Sequence, residues 1–453
     1  MPNAAESFAA HVAGVSYDDI PNRAMERAKV YVLDTLGVGI AGSSAQGAAE
    51  LLSCARAWGE GTTGTVWGRR DRLPAHSAAF LNAFAVHCQE YDCVNEPAVL
   101  HPMATLLPAA LAQAERQGNV SGKDLLTAIT VGVDVSANLG IASTQGLKFF
   151  RPATAGGFGA AAAVAKLRGL DADTIVNAFG IQLAQTSGSM QAHAEASPVL
   201  PMQVGFNSRA GMIACDVAAT GLTGPRGSID GPYGYLPLIE GGFDLPPVIE
   251  SLGKTWQVAE MSHKPYPAGR ATHGAIEGLE VLRDKHGFTA DDVESFTVTV
   301  PPLTGRLVSR PDLPNPTANY ARLCCAYVVA KVLQHGKLDL SHYRGAELTN
   351  PETHRLAKLV TVAGNDNPDP NALAPQSVQI RLKDGSVLDW SCDVMLANPA
   401  RPLSQEAHLA KFRRCWEFAA EPLPEANREA LITLVDHLQD VTDIKELLHL
   451  LTP

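Results

Sequence analysis

From Pro21 to about residue 260, apolar residues return every three or four positions, the spacing of helices that turn one face inward. In "NRAMERAKVYVLDTLGVGIAG", Val30, Leu33 and Leu36 to Val38 fall on one side, and the spacing of Gly37, Gly39 and Gly42 leaves room for another helix to come close. "SGKDLLTAITVGVDVSANLG" opens on Ser121 with Asp124 three residues later, a capping box with an acidic variant of the usual third residue. "TAGGFGAAAAVAKLRG" is a small-residue helix ended by Gly169, and "DADTIVNAFGIQLAQTSGSM" is another helix with an Asp cap. These helices are too apolar for a protein surface, so the pattern predicts several layers of helix around one core.

The texture changes after Gly253. "VESFTVTVPP" alternates Phe296, Val298 and Val300 with polar residues, and "SVQIRLKDGSVLDWS" places Val378, Ile380 and Leu382 on one face before an Asp384-Gly385 turn. A strand and a hairpin are predicted there. Between them "ARLCCAYVVAKVLQHG" and "PETHRLAKLVTV" read as helical, and "SQEAHLAKFRRCWEF" and "PEANREALITLVDHLQD" return to helix at the end. The fold class is mainly α, with a large all-helical domain over 1–261, a smaller α+β unit over 262–395, and C-terminal helices over 396–453 that pack back on the first domain.

Composition narrows the function classes. With 453 residues, 46% hydrophobic and 18% charged, the chain has enough apolar material for a large core. A net charge of −11 without a long Lys/Arg run points away from nucleic acid and anionic membrane as partners, so an anionic substrate needs its cations focused in a pocket. The N-terminal "MPNAAESFAAHVAG" lacks a basic leader pattern, which reads as cytoplasmic. Cys54, Cys88, Cys93, Cys215, Cys324, Cys325, Cys392 and Cys415 form no CxxC or CxxH pattern, so no metal site and no cofactor is expected from them. Nor does the chain carry a GxGxxG after a strand, a Walker loop, HExxH or GxSxG.

What remains is a set of separated acids, bases and cations. In "HCQEYDCVNEPAVLHP" Glu90, Asp92 and His101 interrupt two apolar helices; they suit acid/base chemistry, although an acid pair at a helix end is often only solvated surface. "SHKPYPAGRATHGAIEGL" gathers Lys264, Tyr266, Arg270 and His273 around a helix start, where a bound anion and a neutral histidine are both favoured. The alternative there is a basic surface loop. Arg151 in "FFRPATAGG" either clamps a carboxylate or pairs with an internal acid.

Together with "DTLGVGIAG", the stretches "EYDCVNEPAVLHPMATLLPA", "GFGAAAAVAKLRGLDADTIVNAFGIQLAQTSG", "QVGFNSRAGMIACDVAATGLTGPRGSIDGPYGY" and "KPYPAGRATHGAIEGLEVLR" resemble the MmgE/PrpD family over nearly the whole chain. That family includes 2-methylcitrate dehydratases, cis-aconitate decarboxylases and iminodisuccinate epimerases. The resemblance implies a helical domain with an α+β lid, a site in the cleft between them, no metal or organic cofactor, and a homodimer. It also implies catalytic roles for Glu90 or Asp92 and for His101, and it aligns the family's lid histidine with His273. Arg151 stands where several members have histidine; Leu200 and Gln203 stand where decarboxylase and epimerase members have lysine and histidine.

The expectation is therefore a cofactor-independent lyase, first a hydro-lyase on a small hydroxy di- or tricarboxylic acid, working by α-proton abstraction. Asp92 with His101 forms one acid/base unit and His273 the opposing one, with Glu90 as an orienting group. Arg151, Lys264, Tyr266, Arg270 and Gln203 hold the substrate. The alternatives are an epimerase, isomerase or decarboxylase of a related acid, and a non-catalytic binder of small organic acids.

Overall fold

The computed structural model describes residues 3–453. Its helices begin where local chemistry supplies a cap. Ser121 accepts from the Asp124 amide while the Asp124 carboxylate accepts from the Ser121 amide, closing the anticipated capping box at the start of Gly122–Ile141. Asp171 caps Ala172–Gln185 by accepting from the Thr174 amide at 2.8 Å, and Ser404 caps Gln405–Trp416.

The protein is mainly helical, with a small four-stranded sheet in its C-terminal half. One hydrophobic cluster takes in buried residues from Ala4 to Met261 and again from Phe412 to Leu451. At its centre Gly122–Ile141, Arg151–Leu167, Pro102–Gln117, Ala75–His87 and Val199–Ala218 pack on one another. Gly122–Ile141 is long and apolar enough to cross a membrane by length and composition, but 89% of its apolar stretch is buried among these neighbours. Its all-round apolarity is that of a helix with helices on every side.

The glycines of Asn22–Gly42 are used as the sequence suggests. An added Cβ at Gly37 would lie 2.7 Å from the Phe412 ring, one at Gly39 2.6 Å from Trp67, and one at Gly42 only 1.8 Å from the Ala85 carbonyl oxygen. Gly42 therefore lets two helix backbones touch near the point where Ala75–His87 delivers His87. The C-terminal helices Gln405–Trp416 and Glu425–Asp436 pack against this same Asn22–Gly42 helix.

A second hydrophobic cluster runs from Tyr266 to Leu388. Its sheet has the strand order Val360–Gly364, Val293–Val300, Gln376–Leu382, Val387–Cys392, the first pair parallel and the others antiparallel. Phe296 pairs with Ile380 and Val298 with Val378, and all four are buried, so the period-two alternation seen in the sequence is the sheet's inner face. The hairpin turn has Gly385 at φ +91°, where a glycine is favoured. The helices His273–His286 and Cys325–His335 pack beside this sheet. One element departs from the sequence reading: "PETHRLAKLVTV" is helical only over Pro351–Ala357, and Val360, Thr361 and Val362 open a strand beside Val293–Val300. β-Branched residues at the end of an amphipathic run took up a free sheet edge.

Gly42→Ala is expected to lower the unfolding free energy by about 1–3 kcal/mol or more, because the clash is with backbone and no rotamer relieves it. Urea or thermal melting against the native chain measures it, and an unchanged midpoint would contradict the packing.

Candidate active site

The interrupted segment of the sequence is the connection between two core helices. His87 is the last residue of Ala75–His87, and His101 is the residue before Pro102, which opens Pro102–Gln117 with its fixed φ. Between them Glu90 and Val99 adopt φ of 50° and 48°, the left-handed region that non-glycine residues rarely occupy. Hydrogen bonds hold the connection in place: Asn95 and Leu100 exchange backbone bonds, the Ala98 amide donates to the Asn95 side chain, and Val94 pairs with Ser262 on a neighbouring segment.

This geometry converges on Asp92, whose carboxylate is fully buried. Its Oδ2 lies 2.9 Å from His87 Nδ1 and 3.2 Å from His101 Nδ1, and its Oδ1 lies 3.7 Å from Lys264 Nζ. Lys264 Nζ in turn donates to Glu90 at 2.9 Å. The two imidazoles meet edge to face, their centroids 5.0 Å apart. His101 Nδ1 also lies 3.0 Å from the Cys93 carbonyl, so both neighbours of that nitrogen are acceptors. In neutral His101, then, Nδ1 carries the hydrogen and Nε2 holds the lone pair.

Protonation follows from burial set against these charges. Burial disfavours both ionised acids, but the two histidines and Lys264 outweigh it, leaving Asp92 well below the usual carboxylate range and Glu90 at about 2. For His101 burial dominates and Lys264 adds to it, so its proton affinity is lowered despite Asp92. For His87 burial is overcome by Asp92 and Glu90, and its affinity is raised. Two imidazoles on one carboxylate are thus pushed in opposite directions.

His87, Glu90 and His101 line a cavity of about 70 Å³ between the two hydrophobic clusters. The first cluster's side also contributes Phe150, Met190, His193 and Leu323; the second's contributes Gly269, Arg270 and Leu307. Arg270 is anchored to Glu96 at 2.7 and 3.1 Å and donates to the Leu396 carbonyl. His193, buried, is held down to about 4 by burial and the Arg310 charge. Arg310 lies 3.4 Å from its Nδ1, so the Nδ1 lone pair faces a donor and His193 offers the cavity an Nε2–H.

The structure brings together Glu90, Asp92, His101, Lys264 and Arg270 among the residues singled out in the sequence, but their positions differ from the expected ones. Glu90 reaches the wall while Asp92 is enclosed behind the two histidines. His273, expected to oppose His101, stands behind Arg270 and does not line the cavity: its Nε2 faces the Ala268 carbonyl at 3.1 Å and its Nδ1 lies 3.3 Å from Arg270. Tyr266 donates to Glu280 at 2.6 Å, and Gln203 accepts from the Ser189 amide at 2.8 Å; neither reaches the cavity. Arg151 is fully buried, paired with Glu240 at 2.9 Å and donating to the Ala98 carbonyl at 2.8 Å. It is the internal-pair alternative that the structure realises, and through Ala98 it braces the strained connection.

Two cavity histidines were absent from the sequence reading. His87 ends an apolar helix and looks like a core residue, and His193 belongs to the four-residue helix Gln191–Ala194. A signal for His87 was its place five residues before Asp92 at a helix end. As for metals, His87, Asp92 and His101 could gather around an ion, but Asp92 already occupies the Nδ1 positions that would serve as ligands.

Comparison with known proteins places this geometry in a lineage. The chain matches the MmgE/PrpD N-terminal domain over residues 6–247 and the MmgE/PrpD C-terminal domain over residues 266–439. It is 30% identical to cis-aconitate decarboxylase of Mus musculus, covering 100% of this chain and 94% of the relative. The Homo sapiens protein of the same name is 28% identical, covering 98% and 94%, and that of Aspergillus terreus 26%, covering 96% and 94%. With both domain models matched in order and a relative similar from end to end, the chain belongs to the MmgE/PrpD family.

Proposed function

We propose that the protein is a cofactor-independent lyase acting on a small carboxylic acid, and that its reaction is the elimination of water from a hydroxy acid with one or two carboxylates. The observation that carries this reading is the pair of histidines on Asp92 with opposed proton affinities. Groups whose environments separate their affinities in this way make a base and an acid at one pH. His101 Nε2 takes the proton α to the carboxylate, and the C–H electron pair becomes the new double bond. His87 gives its proton to the β-hydroxyl, which leaves as water. Arg270 and the His193 Nε2–H receive the charge that develops on the carboxylate oxygens. Asp92 does not touch the substrate; it orients both rings.

The charge balance supports the smaller number of carboxylates. Around the cavity Glu90, Asp92 and Glu96 oppose Lys264, Arg270 and Arg310, and Arg306 and Arg322 act on His193 and Glu90 from farther away, so the excess of positive charge is small before any substrate arrives. His193 is uncharged near neutrality and only His87 leans cationic. A tricarboxylate would bring three negative charges to a wall that already presents Glu90, whereas apolar Phe150, Met190, Leu307 and Leu323 suit a short hydrocarbon arm. A second reading, decarboxylation of an unsaturated tricarboxylic acid, is supported by the names of the relatives.

A panel of mono-, di- and tricarboxylic acids, each with and without a hydroxyl substituent, assayed for alkene and for CO₂, separates the two. Alkene without CO₂ from a hydroxy acid is expected. CO₂ from a tricarboxylate as the main product overturns the elimination, as does deuterium exchange at the α-carbon with no alkene.

His101→Ala is expected to reduce kcat on the order of 10²–10⁴-fold with little change in KM, the range for a lost general base. A loss below tenfold in steady-state kinetics would remove His101 from the chemistry.

The pH profile of kcat/KM is expected to be a bell. Activity needs His101 neutral, so it rises with pH through a value below the ordinary 6.5, and it needs His87 protonated, so it falls through a value above 6.5. Asp92 raises both affinities, so Asp92→Asn is expected to move both limbs to lower pH; limbs that stay in place would show that Asp92 does not tune the pair.

A further inference from the structure

We propose that Asp34, His263 and His408 form a second site, separate from the catalytic cavity, that takes a divalent transition-metal ion such as Zn²⁺. One potential ligand atom from each lies within 4.8 Å of the others. The three come from distant stretches: Asp34 from the Asn22–Gly42 helix, His408 from Gln405–Trp416, and His263 from the segment between the two hydrophobic clusters. All are buried, at 2%, 7% and 2% exposure respectively.

The unusual feature is their hydrogen bonding. Both ring nitrogens of His263 and Nδ1 of His408 are shielded from solvent and have no hydrogen-bond partner among the described residues. The Asp34 oxygens make no hydrogen bond there either, although Lys411 Nζ lies 2.6 Å from Oδ1. Buried polar atoms are nearly always paired, and a buried imidazole with neither nitrogen satisfied calls for a missing partner. The catalytic cluster makes the contrast: there the Nδ1 atoms are engaged by Asp92. At the second site the equivalent lone pairs have only each other, the two rings being 5.1 Å apart.

Two imidazoles and one carboxylate oxygen are a ligand set suited to Zn²⁺ and related ions, with further positions left for water. Water and ion have a route, because His263 and His408 line a cavity of about 460 Å³ that also contacts Glu26, Ser404 and Asp436. Lys411 holds one Asp34 oxygen and also donates to the Tyr91 carbonyl, so Oδ2 is the oxygen open to a metal. The ammonium opposes the ion's charge and weakens the site relative to one without it.

An ion there would clamp three segments of chain, including one beside the catalytic cluster. His263 is followed by Lys264, and Ser262 pairs with Val94 in extended fashion, so neighbouring side chains point to opposite sides. His263 faces the second site while Lys264 reaches Glu90.

The test uses the full chain, stripped with chelator and titrated with Zn²⁺ by calorimetry and with Co²⁺ by visible absorption. One ion per chain, a higher melting temperature on binding, and a Co²⁺ spectrum with nitrogen ligands are expected. His408→Ala should weaken binding by more than the roughly 10–100-fold typical of losing an outer-shell partner, while His101→Ala keeps the Co²⁺ spectrum. If His408→Ala fails to fold by circular dichroism, His263→Asn replaces it. No ion bound by the stripped native chain, undiminished binding in the His408 or His263 variant, or loss of the spectrum in His101→Ala would each overturn the site.

Discussion

The structure turns on the burial of Asp92. A carboxylate taken fully out of water is tolerated only with cations and donors around it, and here they come from the end of one helix, the start of the next, and the segment that joins the two hydrophobic clusters. Of these partners His87 and His101 sit on the same connection as Asp92, and only Lys264 arrives from a distant part of the chain. The carboxylate therefore dictates how the Ala75–His87 and Pro102–Gln117 helix ends and Lys264 must meet. Around the same charge the proton affinities of the two imidazoles separate, His101 lowered by burial with Lys264 adding to it and His87 raised with help from Glu90. The meeting of these chain segments and the opposed proton affinities of the two imidazoles both centre on a single desolvated anion.

The connection that carries Asp92 pays for its shape with left-handed backbone at Glu90 and at the β-branched Val99, each costing about 1–3 kcal/mol. Such a conformation persists only where the surroundings over-determine it. Arg151 is part of that support: its guanidinium is held by Glu240 and Ser143 and donates to the Ala98 carbonyl, one residue before Val99. Tyr235 donates to the same Glu240, extending the brace into the helical core. His273 plays a comparable part on the other side of the cavity, fixing Arg270 and the Ala268 carbonyl. Residues that look chemically active in the sequence can thus serve a site by holding its walls.

Much of the architecture was legible without coordinates, because helix and strand periodicity, caps and turn glycines are set within a few residues of chain. The capping box at Ser121, the close approach at Gly42 and the hairpin around Gly385 follow from such local rules. The strand Val360–Gly364 did not, since its pairing partner lies more than sixty residues earlier and a β-branched tail on a helix is ambiguous by itself. The polar interruption at residues 87–102 stands out in the sequence as a source of candidate acids and bases, but the order of its parts does not. Sequence spacing could not show that Glu90 would reach the cavity while Asp92 was enclosed, because the left-handed backbone at position 90 is held by its surroundings and is not a preference of glutamate.

The sequence by itself determined most of the element types, the family and the short list of acids, bases and cations from which a site could be built. Only the tertiary structure decided which of them meet. It brought His87 and His193, unremarked in the chain, to the cavity wall; it withdrew Arg151, Tyr266, Gln203 and His273 into supporting hydrogen bonds; and it left both ring nitrogens of His263 and Nδ1 of His408 without hydrogen-bond partners among the described residues. The physical reason is that a side chain's protonation and reach depend on desolvation and on charges within a few ångströms, and those neighbours arrive from segments tens to hundreds of residues away.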